Sequence, residues 1–426
     1  MRSILAETKK TGIGHASQLI AGIARKLLFN QLAGIKEGCL TIEENGEIKT
    51  FGNKAHNSQL IAHISVKDIA AYPQVLFGGA TGAGEAYMQG SWTSSDLVMV
   101  VRVIVANQRT LDNLDFGWNW FNRLLDSLSG YLKLNTKNGS KKNISAHYDL
   151  SNDFFKLFLD KSMMYSAALF PDKSLSLEEA SFIKLDHICR RLNLKPSDHL
   201  LEIGTGWGGM AIHAAKYYGC KVTTTTISQE QYSLAKTRVE EEGLEDKIYV
   251  LKEDYRDLEG QYDKIVSIEM IEAVGHQYYN EYFSRCSNLL KDNGLMLIQA
   301  ITTQDQRYER EKDKVDFIRR YIFPGGCLPS NEILLRTLAK VTDMHLVCLD
   351  DMTLDYAQTL SHWKRRFFNK IDEVKRLGFD DVFIRMWDFY LSYCEGGFSE
   401  RVIGTSQFLF AKPKCRELPK VGEDRH

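Results

Sequence analysis

The spacing of apolar and polar positions changes character along the chain. Residues 15–33 set Leu19, Ile20, Ile23, Leu27, Leu28 and Leu32 at helical spacing against Arg25 and Lys26, which predicts an amphipathic helix. Such a helix packs on its own domain or touches a membrane surface, where Lys9, Lys10, Arg25 and Lys26 suit anionic headgroups. Residues 38–72 read as short strands around Glu44-Asn45-Gly46, a hairpin turn signal. Small residues with Tyr87 and Trp92 over 82–92 predict close helix packing, and Val98 to Val105 continues as a buried helix.

From 199 onward the pattern alternates. Strands are predicted near 199–203, 220–226, 247–251, 263–268 and 295–301, with helices near 210–218, 229–242 and 277–291. This alternation implies a parallel sheet covered by helices, with ligands beyond the C-terminal strand ends. Thr226, Asp254, Tyr255 and Glu272 fall at such ends. Ser228 and Gln231 form an S-x-x-Q capping-box signature. Past 302 the alternation breaks. Arg307 to Arg320 reads as a charged helix, 345–349 as a strand, and Tyr356, Leu360 and Trp363 as one helix face. A further helix carries Tyr390, Tyr393 and Cys394, and Gln407 to Ala411 is the last strand. Helices inserted between the final strands are expected to roof an apolar pocket.

The run Asn135-Thr136-Lys137-Asn138-Gly139-Ser140-Lys141-Lys142 holds no apolar residue and reads as a linker. The expected division is an N-terminal lipid- or membrane-associating domain over 1–135, a linker over 136–145 and a catalytic domain over 146–426. Charge nearly cancels, 54 Lys+Arg against 55 Asp+Glu, so no basic field points to nucleic acid. No apolar run approaches a membrane span and no signal-peptide core opens the chain, which makes cytoplasm the default expectation. The eight cysteines form no C-x-x-C pair and no Cys/His cluster; they read as reduced core thiols, and no metal site is expected.

The chemistry centres on Leu200-Leu201-Glu202-Ile203-Gly204-Thr205-Gly206-Trp207-Gly208-Gly209, a buried strand running into a glycine turn and a helix start. Gly204, Gly206 and Gly209 fit G-x-G-x-x-G, yet the second strand, Cys220 to Ile227, lacks the acidic residue expected of a dinucleotide site. S-adenosylmethionine (SAM), a nucleotide cofactor and a plain packing turn all remain open on this stretch alone. Ala146-His147-Tyr148-Asp149 and Met163-Met164-Tyr165-Ser166-Ala167 crowd polar and aromatic groups, either to line a site or to pack a cap.

Taken together, residues 146–170, 200–231, 253–276, 321–330 and 356–363 resemble the motifs, in order, of the cyclopropane-fatty-acyl-phospholipid synthases. The resemblance implies an α/β, Rossmann-like class I SAM-dependent methyltransferase core with helical lid insertions and a smaller α+β N-terminal domain. It implies that Tyr165, Ser166, Glu202, Gly204, Gly206, Thr226, Ile227, Gln231, Tyr255 and Arg256 surround SAM. It implies methyl transfer to a cis double bond of membrane phospholipid acyl chains, closing a cyclopropane, at the inner surface of the cytoplasmic membrane, by a homodimer. In the family a bound bicarbonate serves as base; Glu272, Tyr356 and the Ile301 backbone match its ligands, and Cys394 matches a cysteine once considered catalytic. Two positions depart: Ala167 stands where the family has Cys, and Gln299 where it has His. These changes weaken the anion site, so a fatty-acyl C-methyltransferase without ring closure is the alternative; Glu269, three residues before Glu272, reads either as a group that compensates for the loss or, with Glu272, as one of two ends of a packed strand. A small-molecule N-methyltransferase and a non-catalytic lipid-binding protein are the other readings.

Overall fold

In the computed structural model, residues 15–53, 59–108, 111 and 150–419 are described. The linker expected over 136–145, the His147-Tyr148-Asp149 cluster and Lys9 and Lys10 lie outside them. The chain divides into two units that are not contiguous in sequence: residues 1–132 with 314–322 and 375–400, and residues 133–313 with 323–374 and 401–426. Two excursions from the C-terminal half therefore count with the N-terminal residues, a division the linear pattern does not contain.

In the first unit, β1 (Cys39–Glu44) and β2 (Glu47–Gly52) pair antiparallel around Asn45 and Gly46, both at positive φ (50° and 83°). That is the type I′ geometry the Asn-Gly pair favours. β1 pairs parallel with β3 (Ile61–Val66), and β4 (Trp92–Thr93) closes the sheet in the order β2-β1-β3-β4. The helical span Ala71–Met88, broken by a kink at Gly79 (φ 55°), uses its small residues for close approach. A Cβ on Gly84 would stand 2.5 Å from the Phe317 ring and 2.9 Å from that of Phe389. Tyr87 donates its hydroxyl to Asp388 at 2.6 Å. The helix His15–Leu32 buries Ala21, Ala24 and Phe29, while Leu19, Ile20, Ile23 and Leu27 stay exposed. The predicted apolar row is thus not what packs it. Arg307 to Arg320 is not one helix either: Asp305–Glu311 is helical, and Phe317 beyond it is fully buried.

The second unit is built on a seven-stranded sheet in the order β10-β11-β9-β8-β5-β6-β7. Its members are β5 (His199–Ile203), β6 (Lys221–Thr225), β7 (Ile248–Leu251), β8 (Tyr262–Ile268), β9 (Leu290–Thr303), β10 (His345–Asp351) and β11 (Ile403–Ala411). β7, β6, β5, β8 and β9 are parallel, while β11 runs antiparallel to both β9 and β10. One apolar layer gathers Leu200, Val222, Val266, Leu297 and Leu409, and the other gathers Leu201, Ile203, Ile265, Met296 and Phe410. Successive strand residues face opposite sides, so the near-continuous apolar runs are what a sheet buried on both faces requires. Between β5 and β8 the strand order reverses, and ligands of such sheets sit in the crevice at that point.

Candidate active site

The glycine turn leaves β5 at that reversal. Gly204, Gly206 and Gly208 have φ of 101°, 52° and 86°, a left-handed run that side chains disfavour. The Gly204 and Thr205 N–H groups both donate to the Thr225 carbonyl, which fastens the turn to the end of β6. A Cβ on Gly206 would meet nothing within 4 Å, while one on Gly204 would stand 3.2 Å from Met270. Open space therefore lies over Gly206, and the segment after β8 lies against Gly204.

Glu202 is buried at the end of β5 and accepts from the Thr224 hydroxyl at 2.6 Å. Burial pushes its carboxyl up to about 8. At the end of β6, Thr226 donates its hydroxyl to Gln231 Oε1 at 2.8 Å and accepts from the Ser228 N–H at 3.2 Å. Only half of the expected capping box forms: Ser228 accepts from the Gln231 N–H, but the Gln231 side chain turns to Thr226 instead of back to Ser228. Its amide N–H2 has no partner among the described residues and is left for a ligand. Ile227 is half-buried beside it. Tyr255 packs edge-on to Tyr282, and Asp254 engages Arg256 through both Nε (2.8 Å) and Nη2 (2.7 Å), so that guanidinium is already committed. The open space at Gly206, the unmatched Gln231 amide and a buried carboxylate able to accept from hydroxyls or an ammonium together fit SAM.

The segment Tyr165-Ser166-Ala167 ties this region to the carboxylates that follow β8. Ser166 accepts from the buried Lys184 ammonium at 2.8 Å. Tyr165 lies against Phe155, Trp363 and Phe323, with ring centroids 5.3, 5.1 and 6.2 Å away. The Ala167 N–H donates to Glu269 Oε1 at 3.0 Å. Gln299 Nε2 donates to the same oxygen at 2.8 Å, and the Tyr356 hydroxyl donates to Glu269 Oε2 at 2.8 Å. Gln407 on β11 fixes which way Gln299 faces, because its amide donates to Gln299 Oε1 at 2.9 Å. Tyr356, expected beside Glu272, is thus hydrogen-bonded to Glu269. Glu272 accepts instead from the Ile301 N–H, while its second oxygen, Oε2, is buried without a partner among the described residues. Burial and the neighbouring Glu269 charge push Glu272 up to about 8. Burial also raises Glu269, opposed by its donors and by Lys184.

Of the three expected ligands of a free anion, Tyr356 therefore donates to Glu269, while the Ile301 N–H and Glu272 are engaged with each other. Cys394 lies on the helix Asp381–Ser399 of the first unit, with its thiol raised by burial. All eight cysteines are free, and no group of His, Cys, Asp and Glu among the described residues is arranged to hold a metal. Lys184 and Gln407 escaped sequence reasoning because each acts through a partner more than 15 residues away. Glu269 carries one local signal, a non-glycine residue at φ 49°, which only the backbone reveals.

Comparison with known proteins bears on the family and the fold. The family model of mycolic acid cyclopropane synthetase matches residues 135–408. The chain is 36% identical to tuberculostearic acid methyltransferase UfaA1 of Mycobacterium tuberculosis, over 78% of this chain and 79% of that protein. It is 36% identical to the cyclopropane-fatty-acyl-phospholipid synthase of Escherichia coli, over 86% of this chain and 92% of that protein. The crystal structure of mycolic acid cyclopropane synthase CmaA1, complexed with S-adenosylhomocysteine (SAH) and CTAB, superposes with a TM-score of 0.59 at 31% identity. It covers 64% of this chain and 98% of its own. The chain belongs to the mycolic acid cyclopropane synthetase family and is a SAM-dependent methyltransferase.

Proposed function

We propose that this enzyme transfers the methyl group of SAM to a cis double bond in the acyl chains of membrane phospholipids and closes a cyclopropane ring. The observation that carries this reading is the pairing of Glu269 and Glu272 beside Tyr356, Tyr165 and Trp363, in the segment that abuts the glycine turn. Bound SAM supplies an electrophilic methyl, taken by the alkene π pair as the carbon–sulfur bond breaks to leave SAH. The chain's own task is to receive the resulting carbocation. Aromatic faces attract cations, and Tyr165 and Trp363 provide them with ring centroids 5.1 Å apart. The glycines admit the cofactor's backbone-hugging part, Gln231 and Glu202 offer its polar groups a donor and an acceptor, and a carboxylate removes a proton.

A second reading has support from the similarity to tuberculostearic acid methyltransferase UfaA1: the cation loses a proton without ring closure, giving a methylene-branched chain or a methyl-branched alkene. Contact with a membrane surface is supported by the exposed Leu19, Ile20, Ile23 and Leu27 on one helix. No helix among the described residues is long and apolar enough to cross a membrane, so the substrate would be reached from the bilayer surface.

The test is incubation with SAM and liposomes of unsaturated phospholipid, then release of the fatty acids. A CH2 gain with cyclopropane protons in the NMR spectrum is the expected result. Vinylidene protons in their place favour the second reading. Unaltered lipid, with activity on soluble amines, overturns both.

A further inference from the structure

The carboxylate of Glu269 is held in a way that packing does not explain. Three donors from three separate parts of the chain converge on it: the Ala167 N–H at 3.0 Å, the Gln299 amide at 2.8 Å and the Tyr356 hydroxyl at 2.8 Å. Its backbone sits at φ 49°, a conformation strained for a residue with a side chain and of a kind that gathers at functional sites. Its own N–H is pinned to the Gln299 carbonyl at 2.7 Å, so the strained peptide and the anchored carboxylate are fixed by one residue. The residue still keeps part of its surface open, and Met270, next in sequence, abuts Gly204 of the cofactor turn.

Resting on the lipid-methylation reading, we propose that Glu269 is the resident proton acceptor of the reaction and that no dissociable inorganic anion takes part. After methyl transfer, the new C–CH3 bond adjoins a carbocation. A C–H bond of that methyl breaks, its electron pair forms the second ring bond to the cationic carbon, and the proton passes to a Glu269 oxygen. The products are the cyclopropane lipid, SAH and a neutral Glu269 carboxyl that returns its proton to solvent. The branched product needs the same acceptor, since its alkene also forms by loss of a proton. Two carboxylates with separated environments divide the work. Glu269 has three donors and the Lys184 charge set against the burial that raises its carboxyl. Glu272, with one donor and an unpartnered Oε2, stays protonated through neutral pH. A bicarbonate at this place would find the Ala167, Gln299 and Tyr356 donors already taken, with a carboxylate at its side.

The test uses the full chain with SAM and unsaturated liposomes. In buffer stripped of carbon dioxide, the wild-type rate should stay within twofold of its value with added bicarbonate. Glu269→Gln keeps an acceptor for Ala167 and Gln299 and should lose at least 100-fold in rate while SAH binding by calorimetry and the melting temperature hold. Glu269→Gly relaxes the left-handed backbone and vacates the carboxylate's place, so formate should restore its rate at least tenfold. A wild-type rate that collapses without bicarbonate overturns the proposal, and so does a Glu269→Gln rate within threefold of wild type. Loss of SAH binding and of melting temperature in both variants assigns Glu269 to the scaffold and also overturns it. Wild-type protein that leaves every lipid unchanged sinks the substrate reading itself, a result distinct from a bicarbonate requirement.

Discussion

Lys184 is the residue whose charge links the two halves of the site. Its ammonium donates to Ser166, and its field acts on Glu269, Asp160 and Glu202. Burial depresses it to about 8 while those carboxylates hold it up. A cation in such a place favours ionised neighbours. Lys184→Met keeps the length and removes the charge, so Glu269 stays protonated to higher pH, with Glu272 and Tyr356 the other titratable groups against it. The acidic limb of the rate profile should therefore move upward by about one pH unit or more. Rates measured from pH 5 to 9, with melting curves as a folding control, decide this; an unmoved limb means that Lys184 does not tune the acceptor. The residue scale is also where the sequence is hardest to read. Glu202 and the glycines stand out because turn and strand end are local patterns. Glu269, three residues before Glu272, reads either as a compensating group or as one end of a packed strand, and its partners at 167, 299 and 356 are joined only by the fold.

At the scale of elements, the helix Ala71–Met88 shows how small residues set a packing distance. Gly84→Ala would place a methyl 2.5 Å from the ring of Phe317, itself fully buried and unable to withdraw. The gain in helix propensity is about 1 kcal/mol, and overpacking of this kind costs about 1–3 kcal/mol. Net destabilisation of the first unit is the expected outcome, seen as a lower denaturation midpoint; a variant as stable as wild type would show that the rings move aside freely. The alternation of strands and helices from 199 to 303 was legible because each period is written within one element. The type I′ hairpin was legible for the same reason. Allegiance of the segments 314–322 and 375–400 to the first unit was not, because Phe317 and Phe389 meet residues more than 200 positions away.

At the scale of the whole molecule, the function proposed above requires the enzyme to reach chains that lie inside a bilayer. Leu19, Ile23 and Leu27 are exposed by 68%, 54% and 47%, on the face of their helix opposite the buried Ala21 and Ala24. Helices lying in an interface bury such a face among acyl chains. Changing Leu19, Ile23 and Leu27 together to serine should lower co-sedimentation with phospholipid vesicles about tenfold and leave the melting temperature unchanged, since none of the three supports the core; equal sedimentation would remove this helix from the membrane contact. The seven-stranded sheet has a consequence of another kind. Its last-made strand, Ile403–Ala411, is an interior one, wedged between β9 and β10, and it carries the Gln407 amide that turns Gln299 toward Glu269. A chain still emerging from the ribosome has two open sheet margins in its place and an unset amide. Competence therefore arrives only once residues 403–411 have been made, and until then those margins need shielding from one another.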